Sequence, residues 1–502
     1  MKYLVVMEVS QKQNYIFKTN RLAEQIGASI AIREVTEKLY SSEDENVLLY
    51  ASKDEYVFAG GGKSVFEFDS EERAKRFIKK VSTDVLRNYP GMELFMALNG
   101  YDADKESVID AINTLYGKLE EKKSSRKPAF RFYGSGLTEQ CSRTQLPAVK
   151  YDEKEGYLSA ESLCKLKKAR DSQSEAFEDL LPDKEQYRFA REFSELGGTA
   201  GVKDYIAVVV LDGNKMGKKI EKFRDTFRSE NGTVNKNFNL KYKKEFRKLS
   251  EKIDDCYRAA VRNMIADLAK NYDDLVRKGA LSENNKDVKK VLPIRPLILA
   301  GDDICFVTDV RIGIAMTERL MQYVEKNTIM DLPMRVCAGI AMVKTSYPFF
   351  RAHELAEELC HNAKGILPAD DSNDESVLDF HLVQGEIEGS ITEIRREKYN
   401  KNTLTSKPFY LRENGRKNSL PWFKGRLAQY ESGKFITSSK KVEVGKGVLK
   451  EYRDALSAGE EAAKKYRIYK RLEDILGQAH ENGRCLDFDV IEMLGICKWM
   501  EV

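Results

Sequence analysis

The chain has 502 residues, 42% of them hydrophobic and 33% charged, and its 84 basic residues nearly balance its 80 acidic residues, which leaves a net charge of +4. This globular composition supplies apolar side chains for about three domains and excludes a largely disordered chain. The small net charge does not indicate a surface coated with nucleic acid, although local basic patches are compatible with it.

The sequence predicts neither a signal peptide nor a membrane span. The apolar start, MKYLVVMEVSQ, meets charge too early for a signal peptide. The other apolar runs are strand-sized, well below the roughly 20 residues that cross a bilayer. The eight cysteines form no Cys-x-x-Cys pair and predict reduced thiols. We therefore expect a cytoplasmic protein without a membrane partner.

The predicted elements occur twice in the same order, and the first copy begins at the N-terminus. An apolar strand at Tyr3–Val9 is followed by a helical stretch. Two apolar runs joined by glycines, DEYVFAGGGKSVFEF at residues 54–68, predict a hairpin. A strand at Met92–Asp102 and an amphipathic helix at Glu106–Lys122 complete the copy.

The second copy begins with the strand and turn YIAVVVLDGNKMG at Tyr205–Gly217. A highly charged helical insert follows at Lys218–Lys290. The hairpin PLILAGDDICFV at Pro296–Val307, a strand at Met334–Lys344 and a glycine-closed helix at Ala352–Gly365 then repeat the order of the first copy.

Strands mixed with helices in two copies predict an α+β fold with two ferredoxin-like domains. We expect the first domain at residues 1–126 and the second at residues 202–385, with the helical insert at 218–290. Residues 127–201 link the two domains. Residues 386–502 form a mainly helical C-terminal region, in which the stretch 447–477 has the clearest helical pattern.

Three carboxylates occupy positions that could converge in the second copy. Asp212 ends an apolar strand, and Asp302 and Asp303 occupy the turn of a hairpin whose strands can neighbour it. Three close carboxylates repel one another unless a cation neutralises them, and oxygen ligands suit Mg²⁺ or Mn²⁺. Such ions could activate a 3′-hydroxyl and hold a triphosphate for in-line phosphoryl transfer. Gly-Asp-Asp is also ordinary turn chemistry, but Asp212 at the end of the partner strand favours a site.

Phosphate ligands are predicted beside these acids. The glycine-bracketed turn from strand to helix could present backbone N–H groups to phosphate, although it could equally be a plain turn; its residues are Gly213, Asn214, Lys215, Met216 and Gly217. Lys364 near the end of the last helix, with Lys118 as its first-copy counterpart, could reach a triphosphate. The alternative is a basic residue that complements the helix dipole.

The first copy lacks the hairpin acids. Superposing residues 59–62 (AGGG) on residues 300–303 (AGDD) places Gly61 and Gly62 where the aspartates lie, so this copy cannot build the same metal site. Its only candidate carboxylate is Glu8. The two glycines could instead allow a nucleotide to approach the backbone closely. The run Gly-Gly-Gly-Lys-Ser is not a P-loop, because Val57 stands where the first glycine of that motif is required.

Several segments together resemble a known family. LPIRPLILAGDDICFV, YIAVVVLDGNKMGKKI and MRVCAGIAMVKTSYPFFRAHELAEELCHNAKG resemble the second palm domain of the large, polymerase-like subunit of type III CRISPR effector complexes, the Cas-ten family with its Cmr-type members. VMEVSQKQNYIFKTNRLAEQIGAS resembles other palm elements of that family, and EQCSRTQLPA resembles its linker between the palms. The resemblance covers about residues 1–410.

The resemblance implies paired palm domains related to nucleotide cyclases and polymerases. Members of the family convert ATP into cyclic oligoadenylates, second messengers of antiviral defence, and bind two ATP molecules between the palms. Matching the motifs assigns Asp302 and Asp303 as the hairpin acids and Asp212 as the strand acid. It also assigns Gly301 and the turn 213–217 to nucleotide binding and Lys364 to the triphosphate.

The chain departs from the family at three places. Ala300 replaces a glycine of the hairpin and fits only if its φ is negative. Asn214 replaces a second acid. The N-terminal histidine-aspartate nuclease domain is missing from the sequence, so we expect no DNase activity.

The leading hypothesis is therefore a metal-dependent nucleotidyltransferase that makes cyclic oligoadenylate from ATP with Mg²⁺ or Mn²⁺ bound by the three acids. One alternative is a catalytically weak or inactive palm scaffold in an RNA-guided complex, with guide RNA and other CRISPR effector subunits as partners. The other is a stand-alone cyclase that makes a different cyclic nucleotide.

Overall fold

The structure is a computed structural model, and it describes most of the chain. The described residues are 1–37, 50–60, 62–126, 136–171, 177–196, 205–279, 281, 289–368, 374–385, 389–400, 403–436, 441–476, 480–481 and 483–499. Gly61 of the predicted first hairpin lies outside these ranges.

The secondary structure follows the predicted order closely. The first copy contains β1 (Lys2–Ser10), α1 (Lys12–Phe17), α2 (Leu22–Glu37), β2 (Tyr56–Gly60), β3 (Lys63–Phe68), α3 (Glu71–Asn88), β4 (Glu93–Tyr101) and α4 (Val108–Ser124). The segment between the copies contains β5 (Ala148–Asp152), β6 (Gly156–Ser159), α5 (Ala160–Asp171), β7 (Tyr187–Phe189) and two short 3₁₀ turns.

The second copy has the longest helix. Its elements are β8 (Tyr205–Gly213), α6 (Met216–Asn231), α7 (Lys236–Arg277), β9 (Lys290–Leu292), β10 (Ile294–Ala300), β11 (Asp303–Asp309), α8 (Gly313–Glu325), β12 (Thr328–Ile329), β13 (Leu332–Pro333), β14 (Val336–Lys344), α9 (Phe349–Gly365) and β15 (Val377–Leu382). The remaining elements are α10 (Ile391–Glu397), β16 (Phe409–Tyr410), α11 (Leu420–Ser432), β17 (Lys434–Ile436), β18 (Lys441–Glu443), α12 (Lys446–Ser457), α13 (Glu460–Lys470), α14 (Glu473–Leu476), β19 (His480–Glu481), β20 (Arg484–Cys485) and α15 (Phe488–Glu492).

Two sheets share one strand order. The first sheet runs β2-β3-β1-β4, and the second runs β10-β11-β8-β14-β15-β16. In both sheets the hairpin pairs with the first strand of the copy, and the last strand of the copy lies on the other side of that first strand. The internal repeat predicted from the sequence is therefore confirmed in the sheet order, and the mixed α+β fold class is confirmed with it.

The second sheet extends beyond its repeat. β15 pairs with β14 in parallel, and β16 pairs with β15 although it lies beyond residue 385, where we predicted the second domain to end. The predicted helical stretch 447–477 is divided into α12, α13 and α14, with Gly459 at φ 114° preceding α13. Glycine adopts such a positive φ without the steric cost that other residues meet.

The two sheets are joined by helices that pack across them. Phe17 of α1, in the first copy, lies 5.2 Å from Phe349 of α9, in the second copy, measured between ring centroids. The hydroxyl of Ser29 on α2 donates a hydrogen bond to the carbonyl of Leu297 on β10 at 2.6 Å. The charge of Lys12 on α1 also acts on Asp303, so the acids predicted in the second copy lie near an element of the first.

Helix α7 also bridges the copies. The guanidinium of Arg247 donates to the carbonyl of Val57 on β2 at 2.9 Å, and the ring of Phe246 lies 4.6 Å from that of Phe58. The insert is helical, as the sequence predicted, and its basic part lies against the first sheet. Among the described residues, no helix combines the length and the apolar character needed to cross a membrane.

Candidate functional site

The three predicted acids lie at one end of the second sheet. Leu211 of β8 pairs with Ile304 of β11, so Asp212 and Asp303 are the next residues of two antiparallel neighbours. Asp302 occupies the turn between β10 and β11. The charge of Asp212 acts on both hairpin acids. The structure therefore brings together the three carboxylates that the sequence singled out, which are called the acid cluster below.

The hairpin turn has the backbone that its sequence requires. Ala300 pairs with Asp303, which leaves Gly301 and Asp302 as a two-residue turn. Gly301 has a φ of 64°, and a turn of this length needs a positive φ. Ala300 lies in the strand and is not among the described residues with positive φ, so its methyl group fits. Asp254 of α7 accepts a backbone hydrogen bond from Gly301 and supports the turn from behind.

Burial and mutual repulsion perturb the hairpin acids. Burial, and then the charge of Asp212, raise the pKa of Asp302 to about 6. Burial, Asp212 and Asp302 raise the pKa of Asp303 to about 7, while the charge of Lys12 from the first copy opposes this shift. The Asp303 side chain is solvent-exposed even though protein surrounds it. It therefore lies at an accessible position within reach of the charge of Lys12 from the first copy.

Lys364 is the cation of the acid cluster. Its ammonium lies 2.5 Å from a carboxylate oxygen of Asp212, and both side chains are only partly buried. The lysine is the penultimate residue of α9, which packs on β14 and β8. The helix thus places a positive charge at the end of the strand that carries Asp212.

In the turn after β8, the side chains of Tyr257 and Asp302 approach Gly213 closely. A Cβ atom on Gly213 would lie 2.7 Å from the Tyr257 hydroxyl and 2.9 Å from the Asp302 Cβ. Such distances are shorter than real contacts, so only glycine fits. Tyr257 belongs to α7, and the sequence analysis did not single it out. Its signal is weak, because a tyrosine within the apolar stripe of a helix is ordinarily a core residue.

The next two residues of the turn differ: Asn214 is hydrogen-bonded within the protein, whereas Lys215 precedes the start of α6. The backbone N–H of Asn214 donates to the Arg335 carbonyl at 2.8 Å, and its side-chain amide donates to Asp374 at 3.0 Å. Asn214 therefore anchors the turn and does not offer these donors to phosphate. Lys215 has a φ of 54°, and among the described residues no side chain caps α6, so the N–H groups of the first helical turn, from Met216 on, have no partner within the helix.

A cavity lies beside this turn. Its volume is about 540 Å³, and basic side chains dominate its lining along one face of α6. The basic residues are Lys215, Lys218, Lys219, Lys222, Arg335 and Arg412. Glu325 and Asp374 lie among them and form ion pairs with Arg412 and Lys219 respectively. Anionic groups are favoured at such a helix N-terminus.

The strand register corrects the predicted superposition of the two hairpins. Lys63 pairs with Gly60 across the first hairpin and with Glu8 across the sheet. Lys63 therefore occupies the place of Asp303, and Gly62 occupies that of Asp302, one residue away from the alignment drawn from sequence. The first copy carries a positive charge where the second carries an acid.

Lysines surround Glu8 in the first copy. Lys123 lies 2.8 Å and Lys63 lies 3.5 Å from its carboxylate. Lys123 is the penultimate residue of α4 and pairs with Glu8 as Lys364 pairs with Asp212. The predicted counterpart Lys118 was the wrong lysine, because it donates to Asn99 at 2.8 Å.

Lys12 completes a basic cluster, defined here as Lys12, Lys63 and Lys123. Its ammonium fills the space that a side chain at Gly62 would occupy, 1.2 Å from the position of a Cβ atom. The open side of Gly62, which we expected to admit a nucleotide, is thus taken by a lysine. The charge of Lys12 reaches both Glu8 and Asp303.

The acid cluster fits a divalent cation that is shared with a substrate. Within the described ranges, no three His, Cys, Asp or Glu side chains are arranged to hold a metal ion by themselves. Magnesium is commonly bound by one or two carboxylates together with water and substrate phosphates. The raised pKa values of Asp302 and Asp303 mark a concentration of like charge that a cation would relieve. The donor set suits Mg²⁺ or Mn²⁺ in that shared form.

These pKa values predict how stability depends on pH. Because the pKa of both acids lies above the ordinary value of 3.8, the folded protein holds protons that the unfolded chain releases. Their contribution to stability is therefore lost as pH rises from about 4 to about 7. We expect the unfolding midpoint of a D302N/D303N variant, relative to the wild type, to rise between about pH 5 and about pH 8.

Differential scanning calorimetry without divalent cations measures this difference. Magnesium should reduce it at the upper pH, because the cation relieves the repulsion in the wild type. A difference that is flat across the range would contradict the electrostatic description of the cluster.

The fold and the site define a protein made of two related α+β units, one with an acidic hairpin and one with a basic hairpin, and a lysine of the first unit lies near the acids of the second. Comparison with solved structures identifies Csm1 chains with this fold. Csm1 of T. onnurineus matches with a TM-score of 0.51 and 12% identity over 98% of this chain and 68% of that chain.

Csm1-Csm4 cassettes match similarly. The complex with pppApA has a TM-score of 0.51 at 12% identity, and the complex with cA3 has a TM-score of 0.50 at 13% identity; each covers 98% of this chain and 69% of that chain. No protein-family model and no curated protein matches the sequence. At these identities the likeness establishes the fold, and it confirms for the fold the resemblance to the large subunit of type III CRISPR complexes.

Proposed function

We propose that this chain is a nucleotidyltransferase subunit of the type III CRISPR kind, which converts ATP into cyclic oligoadenylates with two palm domains. The observation that carries the proposal is the acid cluster, held at the paired ends of β8 and the β10–β11 hairpin beside Lys364. The solved structures with this fold support it, because those Csm1-Csm4 cassettes are complexes with AMPPNP, pppApA and cA3.

In this proposal, each group of the site has a role that follows from its position. Asp212 and Asp302 would hold magnesium or manganese, and Asp303 would polarise the attacking 3′-hydroxyl. Bound there, such an ion supplies positive charge to the reacting phosphate oxygens. Lys364 and the N–H groups of Met216 and Gly217 would orient the triphosphate, since a helix N-terminus and an ammonium both attract phosphate.

The first copy would bind the second nucleotide. Asp303 is exposed, and Lys12 of the basic cluster lies close enough for the two charges to act on each other. A cluster of lysines opposite an acidic metal site suits two polyanionic nucleotides lying between the copies, with one reacting end directed toward the acids.

A palm scaffold without catalysis is the second candidate. It is favoured by the basic hairpin of the first copy, in which Gly62 and Lys63 stand where the second copy has Asp302 and Asp303. In that case the protein would serve an RNA-guided complex by holding a Csm4-like subunit and guide RNA.

The test is product analysis. Purified protein is incubated with ATP and Mg²⁺ or Mn²⁺, alone and as a complex isolated with its co-expressed effector subunits and guide RNA, and products are identified by mass spectrometry. Cyclic oligoadenylate from either preparation supports the proposal. If neither preparation forms a product from any of the four nucleotides, the scaffold is the better description.

A further inference from the structure

A buried hydroxyl points into the acid cluster. Tyr257 of α7 is completely buried, and its hydroxyl oxygen has no hydrogen-bond partner among the described protein atoms. The same oxygen lies 2.7 Å from the point where a Cβ of Gly213 would stand, and the Cβ of Asp302 lies 2.9 Å from that point. The phenol and the carboxyl side chain therefore border one small space behind the turn.

Core packing explains the ring of Tyr257 but not its hydroxyl. The neighbours on its face of α7, Ile253, Ala260, Val261 and Met264, are buried apolar residues. A phenylalanine would fill such a stripe equally well. A buried hydroxyl without a partner costs about 1 to 3 kcal/mol, so its presence here calls for an acceptor that it meets in some state of the site.

The nearby acceptors are carboxylates. A tyrosine hydroxyl is an O–H donor, and the charges of Asp302 and Asp212 lie close enough to act on that of Tyr257. Asp302 borders the same space, with its Cβ 2.9 Å from the point that lies 2.7 Å from the hydroxyl. Asp212 is already engaged by Lys364 at 2.5 Å.

We propose that Tyr257 is a positioning residue for the metal-binding acid: its hydroxyl donates a hydrogen bond to Asp302 and fixes the orientation in which that carboxylate binds a divalent cation. This inference rests on the proposed function and deepens it. It also gives the long insert a part in the site, because α7 supports the hairpin through Asp254 and orients its acid through Tyr257.

The test compares Tyr257→Phe with Tyr242→Phe. Tyr242 lies on the same helix, is equally buried and bonds to Arg224, away from the acid cluster. Both variants keep the ring. Binding of Mn²⁺ is measured by electron paramagnetic resonance in the presence of AMPPNP, and the unfolding midpoint is measured without ligands.

We expect Tyr257→Phe to weaken Mn²⁺ binding about tenfold or more, as loss of a partner that orients a metal ligand typically does. Its unfolding midpoint should be unchanged or higher, since a buried unsatisfied hydroxyl is removed. Tyr242→Phe should bind Mn²⁺ as the wild type does. In a D302N background, Tyr257→Phe should have no further effect on the residual Mn²⁺ binding, because its action passes through Asp302.

The outcomes separate the two proposals. Equal Mn²⁺ binding by the wild type and Tyr257→Phe would overturn the role of Tyr257 and leave the proposed function standing. A lowered unfolding midpoint with unchanged Mn²⁺ binding would assign the hydroxyl to stability alone. A wild type that binds neither Mn²⁺ nor AMPPNP, as purified or in its complex, would overturn the proposed function and with it this inference.

Discussion

Replacing Asp302 and Asp303 together by asparagine is expected to reduce cyclic oligoadenylate formation by at least about a hundredfold. Asparagine keeps the shape of each side chain but removes two negative charges from the place where a cation and a triphosphate would be held. The neighbouring Lys364–Asp212 pair is left in place. The loss should therefore appear in the rate of product formation at saturating ATP.

The same substitution should not destabilise the protein. Both acids have a raised pKa, which means that their charged forms are unfavourable in the fold. A variant that loses activity while its unfolding midpoint is unchanged or higher at about pH 8 would separate catalysis from folding.

The matched control removes two adjacent acids elsewhere. Glu71 and Glu72 are exposed in the first turn of α3, and E71Q/E72Q changes the net charge by the same amount. This control should retain full activity. Product formation that survives D302N/D303N, in a preparation where the wild type is active, would place the catalytic centre outside the acid cluster.

The sequence predicted most of what positions this cluster. Apolar runs, turn residues and helix periodicity were sufficient for β8, for the β10–β11 hairpin and for α9, because each has an uninterrupted local pattern. The convergence of Asp212 with the hairpin acids followed from the strand order of a βαββαβ unit. Lys364 followed from its place at the end of α9.

Register in the first hairpin could not be predicted in this way. Three consecutive glycines have no side-chain alternation, and β2 contains a bulge between Tyr56 and Phe58. A one-residue ambiguity therefore remained, since register is specified by side chains that must face a core. Only the observed pairing of Lys63 with Glu8 reveals the basic counterpart of the acid cluster.

The remaining residues of the site, Lys123 and Tyr257, could be identified only from tertiary contacts. Helix α4 ends with several lysines, and nothing local distinguishes Lys123, which pairs with Glu8, from Lys118, which pairs with Asn99. Tyr257 is far from the hairpin in sequence and lies in an apolar stripe. Its relation to Asp302 depends on how a 42-residue helix packs across the sheet.

The second large effect is expected from a substitution at Gly339, where the backbone of α9 packs directly against β14. A Cβ atom at this position of β14 would lie 2.0 Å from the Ala356 carbonyl oxygen and 2.4 Å from the Cys360 nitrogen. Both atoms belong to the backbone of α9, so no side-chain rotation relieves the overlap and the helix must move. We expect Gly339→Ala to lower the free energy of unfolding by about 3 kcal/mol.

The control for this substitution is Gly117→Ala on α4. A Cβ atom there meets no atom of the described residues within 4 Å, and alanine is favoured over glycine in a helix interior by about 1 kcal/mol. Urea unfolding should therefore show the two substitutions moving stability in opposite directions. Gly339→Ala with wild-type stability would mean that α9 is not seated on β14 as described.

Displacing α9 should also change the position of Lys364 in the candidate site. The helix carries Lys364, whose ammonium meets Asp212 at 2.5 Å, and a shift of the helix away from β14 moves that charge away from the strand end. Folded Gly339→Ala protein, assayed well below its unfolding midpoint, should therefore form product more slowly and require more ATP for half-maximal rate. Gly117→Ala should leave both quantities unchanged. If Gly339→Ala lost only stability, the position of Lys364 would not limit the reaction, and triphosphate binding would depend on the turn at the start of α6 instead.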